Sequence, residues 1–406
     1  MAKWTIPELV LGGLFFTIGA TFNLTLQFYW FAANPYLATA VVLGVHMLLT
    51  AVILSMRLGK FARAPLPFSL PILLQLAFTA WAGLSLLWSH TEKPFESTGF
   101  WLQELLPIIL VMECCAFLPG LEGPDLARRA LAWGLAVLGI QAVLIHELKL
   151  LGAWELVMYK NDYAHGAGIL MLLGLDGWAR GHWHVRRSEA GWMLCIVIAA
   201  LVMAHYPSKT VTGTIVAASA VHLLISGGGA RRWVAALVLA LGMTFVMWDA
   251  VAQTWDNYNR DAAYASTFSE RTLIWAYVNQ FIANQPLTGL GFDGFRFVMP
   301  GIFDSPVAHA HSDFLMTWVC FGLVGVILAG AWYGSLLAAS LSALRGRPAL
   351  RAESVLPLTV LTYIVLRGLF EADAKFVTLP VAVAMSCQVA LIRAQALMAD
   401  ETQVPL

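Results

Sequence analysis

The chain has 406 residues, of which 59% are hydrophobic and only 12% are charged, and its formal net charge is zero. A soluble globular chain carries about 25% charged residues, and the mean hydropathy here is +0.73. This composition excludes a soluble enzyme, and the absence of excess positive charge argues against a nucleic-acid partner. The sequence therefore predicts an integral membrane protein in contact with membrane lipids.

The apolar runs are continuous, which is typical of transmembrane helices and not of alternating barrel strands. Their centres lie near residues 14, 46, 79, 109, 140, 170, 197, 218, 241, 325, 362 and 386. We therefore predict an all-α integral membrane protein with about twelve transmembrane helices. Residues 1–249 hold helices 1–9, residues 250–311 form one large loop with short amphipathic helices, and residues 312–406 hold helices 10–12 and a tail.

The basic residues predict the orientation of these helices. Lysine and arginine concentrate in alternate connections, which cover residues 57–63, 128–129, 180–187, 231–232 and 345–351. Positive charge marks the cytoplasmic side of a membrane protein, so these connections and both termini are predicted to be cytoplasmic. The large loop then lies outside, in the periplasm, and the protein is predicted to reside in a bacterial inner membrane.

The large loop contains one clear helical pattern. Ser269 is a suitable N-cap, and Pro286 ends the pattern. The apolar residues at helical spacing are Ile274, Trp275, Val278, Phe281 and Ile282. Such a helix either packs over the transmembrane bundle or lies in the membrane interface, where a lipid-linked ligand would arrive; the two interpretations are compatible.

Metal and disulfide chemistry have no support in the sequence. The five cysteines lie in apolar runs, and the spacings of cysteine and histidine are not those of a zinc or iron–sulfur site. Asp256, Asp261, Asp293 and Asp304 are scattered among the turns of the loop, and we interpret them as solvated. We therefore expect no metal and no other cofactor.

Motifs in the loop and in the next helix occur in a specific order. Arg271 is followed four residues later by Trp275, and residues 285–291 have the sequence Gln-Pro-Leu-Thr-Gly-Leu-Gly. Residues 311–315, His-Ser-Asp-Phe-Leu, then precede residues 322–325, Gly-Leu-Val-Gly. In this combination and order the chain resembles the O-antigen ligase/O-antigen polymerase superfamily.

The chain departs from the pattern of that superfamily at two positions. Residues 206–210, Tyr-Pro-Ser-Lys-Thr, occupy the place of a Ser-Arg-Gly element, so Lys209 stands where arginine is usual. Lysine keeps the positive charge but lacks the planar fork of arginine. Ser312 stands where asparagine is usual.

The resemblance implies a GT-C-like glycosyltransferase that moves a glycan from undecaprenyl diphosphate to an acceptor hydroxyl. Such a hydroxyl benefits from a base whose ordinary pKa is near neutral, as that of histidine is, and the diphosphate benefits from cations. We predict that His311 is the base and that Arg271 is also catalytic. The other candidates, for substrate binding, are Lys209, Arg296, Arg367, His309 and Lys160.

Simpler interpretations of these residues remain open. A histidine at the start of a helix often only forms a hydrogen bond, and Arg260 has the character of a solvated surface charge. Arg367 and Glu371 are one helical turn apart, which is the spacing of an ordinary helical ion pair. Residues 160–163, Lys-Asn-Asp-Tyr, are interpreted first as a polar turn.

The favoured function is an O-antigen ligase that joins an undecaprenyl-diphosphate-linked glycan to a sugar of lipid A-core. A polymerase that uses the same donor but another lipid-linked repeat as acceptor is the alternative, and a protein-glycosylating relative is the third. One dominant loop that ends in the histidine motif favours the ligase. A transporter or flippase of lipid-linked oligosaccharide is the alternative of another class, because twelve helices with cytoplasmic termini suit it equally.

Overall fold

The computed structural model describes residues 69–117, 122–150, 153–180, 186–226, 271–299, 307, 309–346 and 348–371, with scattered positions within 9–17 and 44–55 and at 248 and 252. All regular structure in these residues is helical. The helices are α1 Leu70–Leu84, α2 Pro94–Phe117, α3 Glu122–Glu147, α4 Ala153–Arg180, α5 Arg186–His205, α6 Lys209–Ser226, α7 Arg271–Asn284, α8 Phe295–Val298, α9 Asp313–Leu344 and α10 Pro348–Phe370. A short 3-10 turn, Ser85–Trp88, continues α1.

Five helical segments of the described residues are long and apolar enough to cross a membrane. They are Leu70–Trp88, Asp125–Glu147, Lys209–Ser226, Asp313–Leu344 and Leu350–Phe370, and Ala190–His205 is a shorter apolar helix. The all-α membrane class predicted from the sequence is confirmed. The predicted centres at 79, 109, 140, 170, 197, 218, 325 and 362 all fall within described helices, whereas those at 14, 46, 241 and 386 lie mainly outside the described residues.

Polar contacts between helices identify which helix ends lie together. Arg128, near the start of α3, pairs with Glu353, near the start of α10, at 3.2 Å. At the other end of α10, the Glu371 carboxylate lies 3.5 Å from the Asn161 amide nitrogen of α4. The end of the bundle that holds Asn161 and Glu371 is called the site end below.

Helix α6 also begins at the site end. His222 of α6 contacts Thr359 of α10 at 3.3 Å, and Ile215 and Tyr363 meet where both approach Gly168. Going from residue 222 back to residue 215 in α6 corresponds to going from residue 359 forward to residue 363 in α10, so these two helices are antiparallel. Lys209, the first residue of α6, is therefore brought to the site end, whereas Arg128 lies at the opposite end.

Helix α7 packs over the bundle with the face predicted from the sequence. Ile274 and Val278 are buried, and the neighbouring apolar side chains are partly buried against the same cluster, which includes Phe292 and Phe321. The helix ends at Asn284, before Pro286. Its amphipathic character and its end are thus as the sequence predicted, and its apolar face is directed into the protein.

The motif at residues 285–291 packs against a break in α9. Gly322 has φ 61° and ψ −167°, which interrupts the helix. Three backbone hydrogen bonds of 2.8 Å join the two segments: Leu290 N–H to the Val319 carbonyl, Gly291 N–H to the Cys320 carbonyl, and Leu323 N–H to the Pro286 carbonyl. Two motifs that are separate in the sequence, 285–291 and 322–325, therefore form one interlocked unit.

Glycine is required on both sides of this contact. Gly289 and Gly322 have φ of 64° and 61°, a region that other residues rarely adopt. A Cβ atom on Gly289 would lie 2.6 Å from the carbonyl oxygen of Cys320, and one on Gly322 would overlap the carbonyl of Leu287. The overlap is with backbone, which cannot move aside as a flexible side chain can.

We predict that Gly322→Ala destabilises the protein and releases the 285–291 segment. Backbone strain alone contributes on the order of 1–3 kcal/mol, and the overlap with Leu287 adds to it. Gly330→Ala is the matched control, because Gly330 lies in the same helix with open space around its Cβ position. The stability of both variants is measured by thermal unfolding and by protease sensitivity in detergent. Equal stability of Gly322→Ala and Gly330→Ala would contradict the interlocked arrangement.

Candidate active site

Arg271 and Trp275 each reach a different segment of the chain from the same face of α7. One helical turn separates them, so their side chains are neighbours. The Arg271 guanidinium donates to the Phe370 carbonyl at 2.7 Å and to the Glu371 carboxylate at 3.1 Å. The Trp275 indole donates to the Ala310 carbonyl at 2.9 Å. The Arg-x-x-x-Trp spacing thus connects the end of α10 to the histidine motif.

The histidine motif is a constrained segment that leads into α9. Ala310 is completely buried, and the rings of His309 and His311 meet edge to face with centroids 4.2 Å apart. His311 has φ 50°, a left-handed conformation uncommon for residues other than glycine. Ser312 immediately precedes α9, and its hydroxyl donates to the Gly368 carbonyl at 3.3 Å. These contacts fix His311 at the site end.

Glu371 joins the two predicted catalytic residues. One carboxylate oxygen accepts from Arg271 at 3.1 Å, and the other lies 3.7 Å from Nδ1 of His311. Burial raises the pKa of Glu371, but the His311 ring and the Arg271 charge outweigh this effect and lower the pKa overall. The sequence predicted Glu371 only as a helical partner of Arg367. The structure instead connects its carboxylate to distant segments.

Lys209 and Arg367 lie at the same end of the bundle. Lys209 is exposed as the first residue of α6, and the preceding Ser208 is buried and accepts a backbone hydrogen bond from Thr212. Arg367 is buried one turn before Glu371, with 3% of its surface exposed. The same end of the bundle therefore holds His311, His309, Arg271, Lys209 and Arg367.

Arg296 lies in a separate ion-pair cluster. Its guanidinium is 2.7 Å from the Asp293 carboxylate and 3.0 Å from that of Glu96, and it lies over the Phe297 ring. Asp293 is buried and also accepts a hydrogen bond from Ser97 at 2.7 Å. The interpretation of Asp293 as solvated was therefore wrong. This cluster holds the turn before α8 against α2.

The predicted polar turn at residues 160–163 was also wrong, because these residues lie inside α4. Tyr163 is buried against Tyr206, and Asn161 faces Glu371. The turn-forming residue types were overridden by packing between helices. The side chain of Lys160 and the whole of Arg260 lie outside the described residues, as do Asp256, Asp261 and Asp304.

Glu371 and Asn161 lie at the site, although the sequence motifs did not assign them to it. The one available signal was a carboxylate at the end of an apolar run, where an ionisable group is costly and often functional. In the part of the chain that the structure describes, no three His, Cys, Asp or Glu side chains form a group suited to a metal ion.

We predict that Trp275→Phe loosens the histidine motif while leaving the bundle intact. The substitution removes the hydrogen bond to Ala310, which contributes about 1 kcal/mol, but keeps an aromatic ring. Diethyl pyrocarbonate should then modify His311 faster. Trp101→Phe is the control, since that indole donates to the Thr79 carbonyl at 2.8 Å, away from the motif. An unchanged rate at His311 in Trp275→Phe would contradict the anchoring role.

A comparison with known protein families gives a match in the same part of the chain as the motifs. Residues 185–330 match the family model described as O-antigen ligase. The match includes Lys209, Arg271, His311 and the interlocked segments, and it ends before Glu371. No curated protein matches the chain significantly. The matched residues and their order thus make residues 185–330 similar to the O-antigen ligase family.

Proposed function

We propose that the chain is a glycosyltransferase that moves O-antigen from undecaprenyl diphosphate to a sugar hydroxyl of lipid A-core. The observation that carries the proposal is that Arg271 and His311 meet at one carboxylate, at 3.1 Å and 3.7 Å. A cation for a phosphate leaving group and a base for a hydroxyl are the two groups that such a transfer needs. The family match over residues 185–330 supports the same chemistry.

The donor is expected at the site end of the bundle. Its lipid tail remains in the bilayer, so its diphosphate lies level with the helix ends, where Lys209 and Arg271 are found. Arginine offers a two-pronged hydrogen-bonding group to a phosphate, and lysine offers a point charge. Arg367, Arg296, His309 and Lys160 remain proposed contacts to the diphosphate or the glycan. We assign the site end to the periplasm and the opposite, arginine-rich end to the cytoplasm.

In the proposed reaction, His311 accepts the proton of the acceptor hydroxyl while that oxygen attacks the anomeric carbon of the donor glycan. The bond between this carbon and the diphosphate oxygen breaks, and its electron pair leaves with undecaprenyl diphosphate. Arg271 and Lys209 neutralise the charge that develops on the leaving group. The imidazolium then releases its proton to water. Because the donor already carries its leaving group, no ATP is required.

Transfer by the purified protein in detergent tests this function directly. The assay contains lipid-linked O-antigen, lipid A-core and excess chelator, since we expect no metal cofactor. A new glycosidic bond to lipid A-core supports the ligase and contradicts a transporter, which would need a sealed membrane. Elongation of the lipid-linked glycan indicates a polymerase. In cells, deletion of a ligase leaves accumulated lipid-linked polymer, whereas deletion of a polymerase leaves core with a single repeat.

We predict that His311→Ala abolishes transfer while membrane insertion is retained, because the hydroxyl loses its base. Initial rates of glycan transfer by both proteins provide the measurement. Turnover by His311→Ala at the wild-type level would refute the assignment, and loss of activity only in His309→Ala would transfer the role to that residue.

We predict that Arg271→Ala and Lys209→Ala weaken binding of undecaprenyl diphosphate. A charge-assisted hydrogen bond contributes about 1.5–3 kcal/mol, which corresponds to a loss of affinity of roughly 10- to 100-fold. Arg271→Lys should recover part of the binding, and Lys209→Arg should be tolerated because its charge is kept. Arg129→Ala is the control, since this exposed arginine lies next to Arg128 at the opposite end. Unchanged affinity in both alanine variants would assign these charges to the fold or to the acceptor.

A further inference from the structure

Glu371 lies between the proposed cation and the proposed base, and its two oxygens are divided between them. Oε1 is 3.1 Å from Nη2 of Arg271, and Oε2 is 3.7 Å from Nδ1 of His311. The carboxylate side chain is only 6% exposed. A buried carboxylate stays ionised only when partners compensate the loss of water, so its charge depends on both of these residues.

The two contacts differ in strength. A distance of 3.1 Å is that of a charge-assisted hydrogen bond, whereas 3.7 Å is longer than a hydrogen bond and leaves only charge attraction. Arg271 is held further by the Phe370 carbonyl at 2.7 Å. The carboxylate is therefore hydrogen-bonded to Arg271 and makes no hydrogen bond to the His311 ring.

Arg271 would then have two competing anionic partners. The same guanidinium that neutralises Glu371 is the group proposed to bind the diphosphate of the donor. An incoming diphosphate with its larger negative charge competes with the carboxylate for this guanidinium. Asn161 lies 3.5 Å from the same oxygen that Arg271 occupies, so a neutral donor is available to that oxygen when Arg271 turns away.

We propose that Glu371 is a positioning residue that couples the binding of a lipid diphosphate at Arg271 to the activation of His311. This inference rests on the function proposed above. When the diphosphate draws Arg271 away, the carboxylate accepts a hydrogen bond from Nδ1–H of His311. That bond fixes the tautomer, so the lone pair on Nε2 faces the acceptor hydroxyl and takes its proton. The base thus becomes effective only when the donor is in place.

The groups around His311 are compatible with this role. The ring of His309 packs against that of His311, Asp313 follows in the first turn of α9, and Arg367 lies one turn before Glu371 in α10. His309, His311 and Arg271 together hold the pKa of Glu371 below its ordinary value despite burial. The carboxylate is thus ionised at neutral pH and available to either partner.

Glu371→Gln tests the coupling, because it keeps the size of the side chain and removes its charge. With undecaprenyl diphosphate as the probe, the variant should bind more tightly than the wild type, since Arg271 no longer has a competing carboxylate. Turnover should nevertheless fall roughly 10- to 100-fold, the usual effect of losing a group that orients a functional histidine. The acidic limb of the rate profile should move to lower pH, because the charge that favours the imidazolium is gone.

Glu353→Gln is the matched control. Glu353 lies near the start of α10, the helix that Glu371 directly follows; it is similarly buried, and it pairs with Arg128 at 3.2 Å at the opposite end of the bundle. Loss of the Glu353 charge should lower the stability of the protein without changing its affinity for undecaprenyl diphosphate or the pH profile of its turnover. An equal shift of the pH profile in both variants would mean that the effect comes from stability and would overturn the proposal.

Two further outcomes separate the coupling from its alternatives. If Glu371→Gln loses donor binding together with turnover, the carboxylate merely holds Arg271 in place and the coupling is wrong. Glu371→Asp is the second variant, for use if Glu371→Gln does not fold. It keeps the charge but shortens the side chain, so we expect donor affinity near that of the wild type and a lower turnover. Full turnover by Glu371→Asp refutes the coupling. A wild-type protein that neither binds undecaprenyl diphosphate nor forms a glycoside instead refutes the proposed function.

Discussion

The break in α9 is the constraint on which the arrangement of the loop depends. A helix interrupted within an apolar segment leaves carbonyl groups without intrahelical partners, and a bilayer supplies no water to satisfy them. The protein supplies the partners itself: Leu290, Gly291 and the Trp81 indole donate to the carbonyls of Val319, Cys320 and Phe321. Satisfying these carbonyls draws the loop into the bundle and thereby fixes the positions of α7 and of the histidine motif.

Charge in the bundle is balanced locally. Arg128 pairs with Glu353 at one end, and Arg271 pairs with Glu371 at the other. Such buried pairs add little to stability compared with apolar contacts, because both ions lose water. At the site end, the Glu371 carboxylate also lies 3.7 Å from Nδ1 of His311. In the coupling proposed above, this third partner makes the charge balance responsive to a ligand, so that the same atoms both bury charge and serve the transfer.

Local sequence patterns predicted the elements, but not the contacts between them. The apolar face of α7 and its end before Pro286 were correct because helical periodicity and proline act within a few residues. The burial of Asp293 and the helical state of Asn161 were missed, because the residues that contact them, Ser97 and Glu371, lie far away in the sequence. The role of Glu371 was missed for the same reason. A hundred positions separate it from Arg271, and periodicity carries no information about such pairs.

The distribution of the site along the chain has a consequence for biosynthesis. Asn161, Arg271, His311 and Glu371 belong to segments that are synthesised in succession, and the last of them follows α10. Membrane helices enter the bilayer from the N-terminus onward during translation, so the first three residues are in place before the carboxylate arrives. A ribosome-bound intermediate that already contains the whole loop therefore still lacks Glu371, the residue that joins Arg271 to His311. Completion of the site is timed to the insertion of α10.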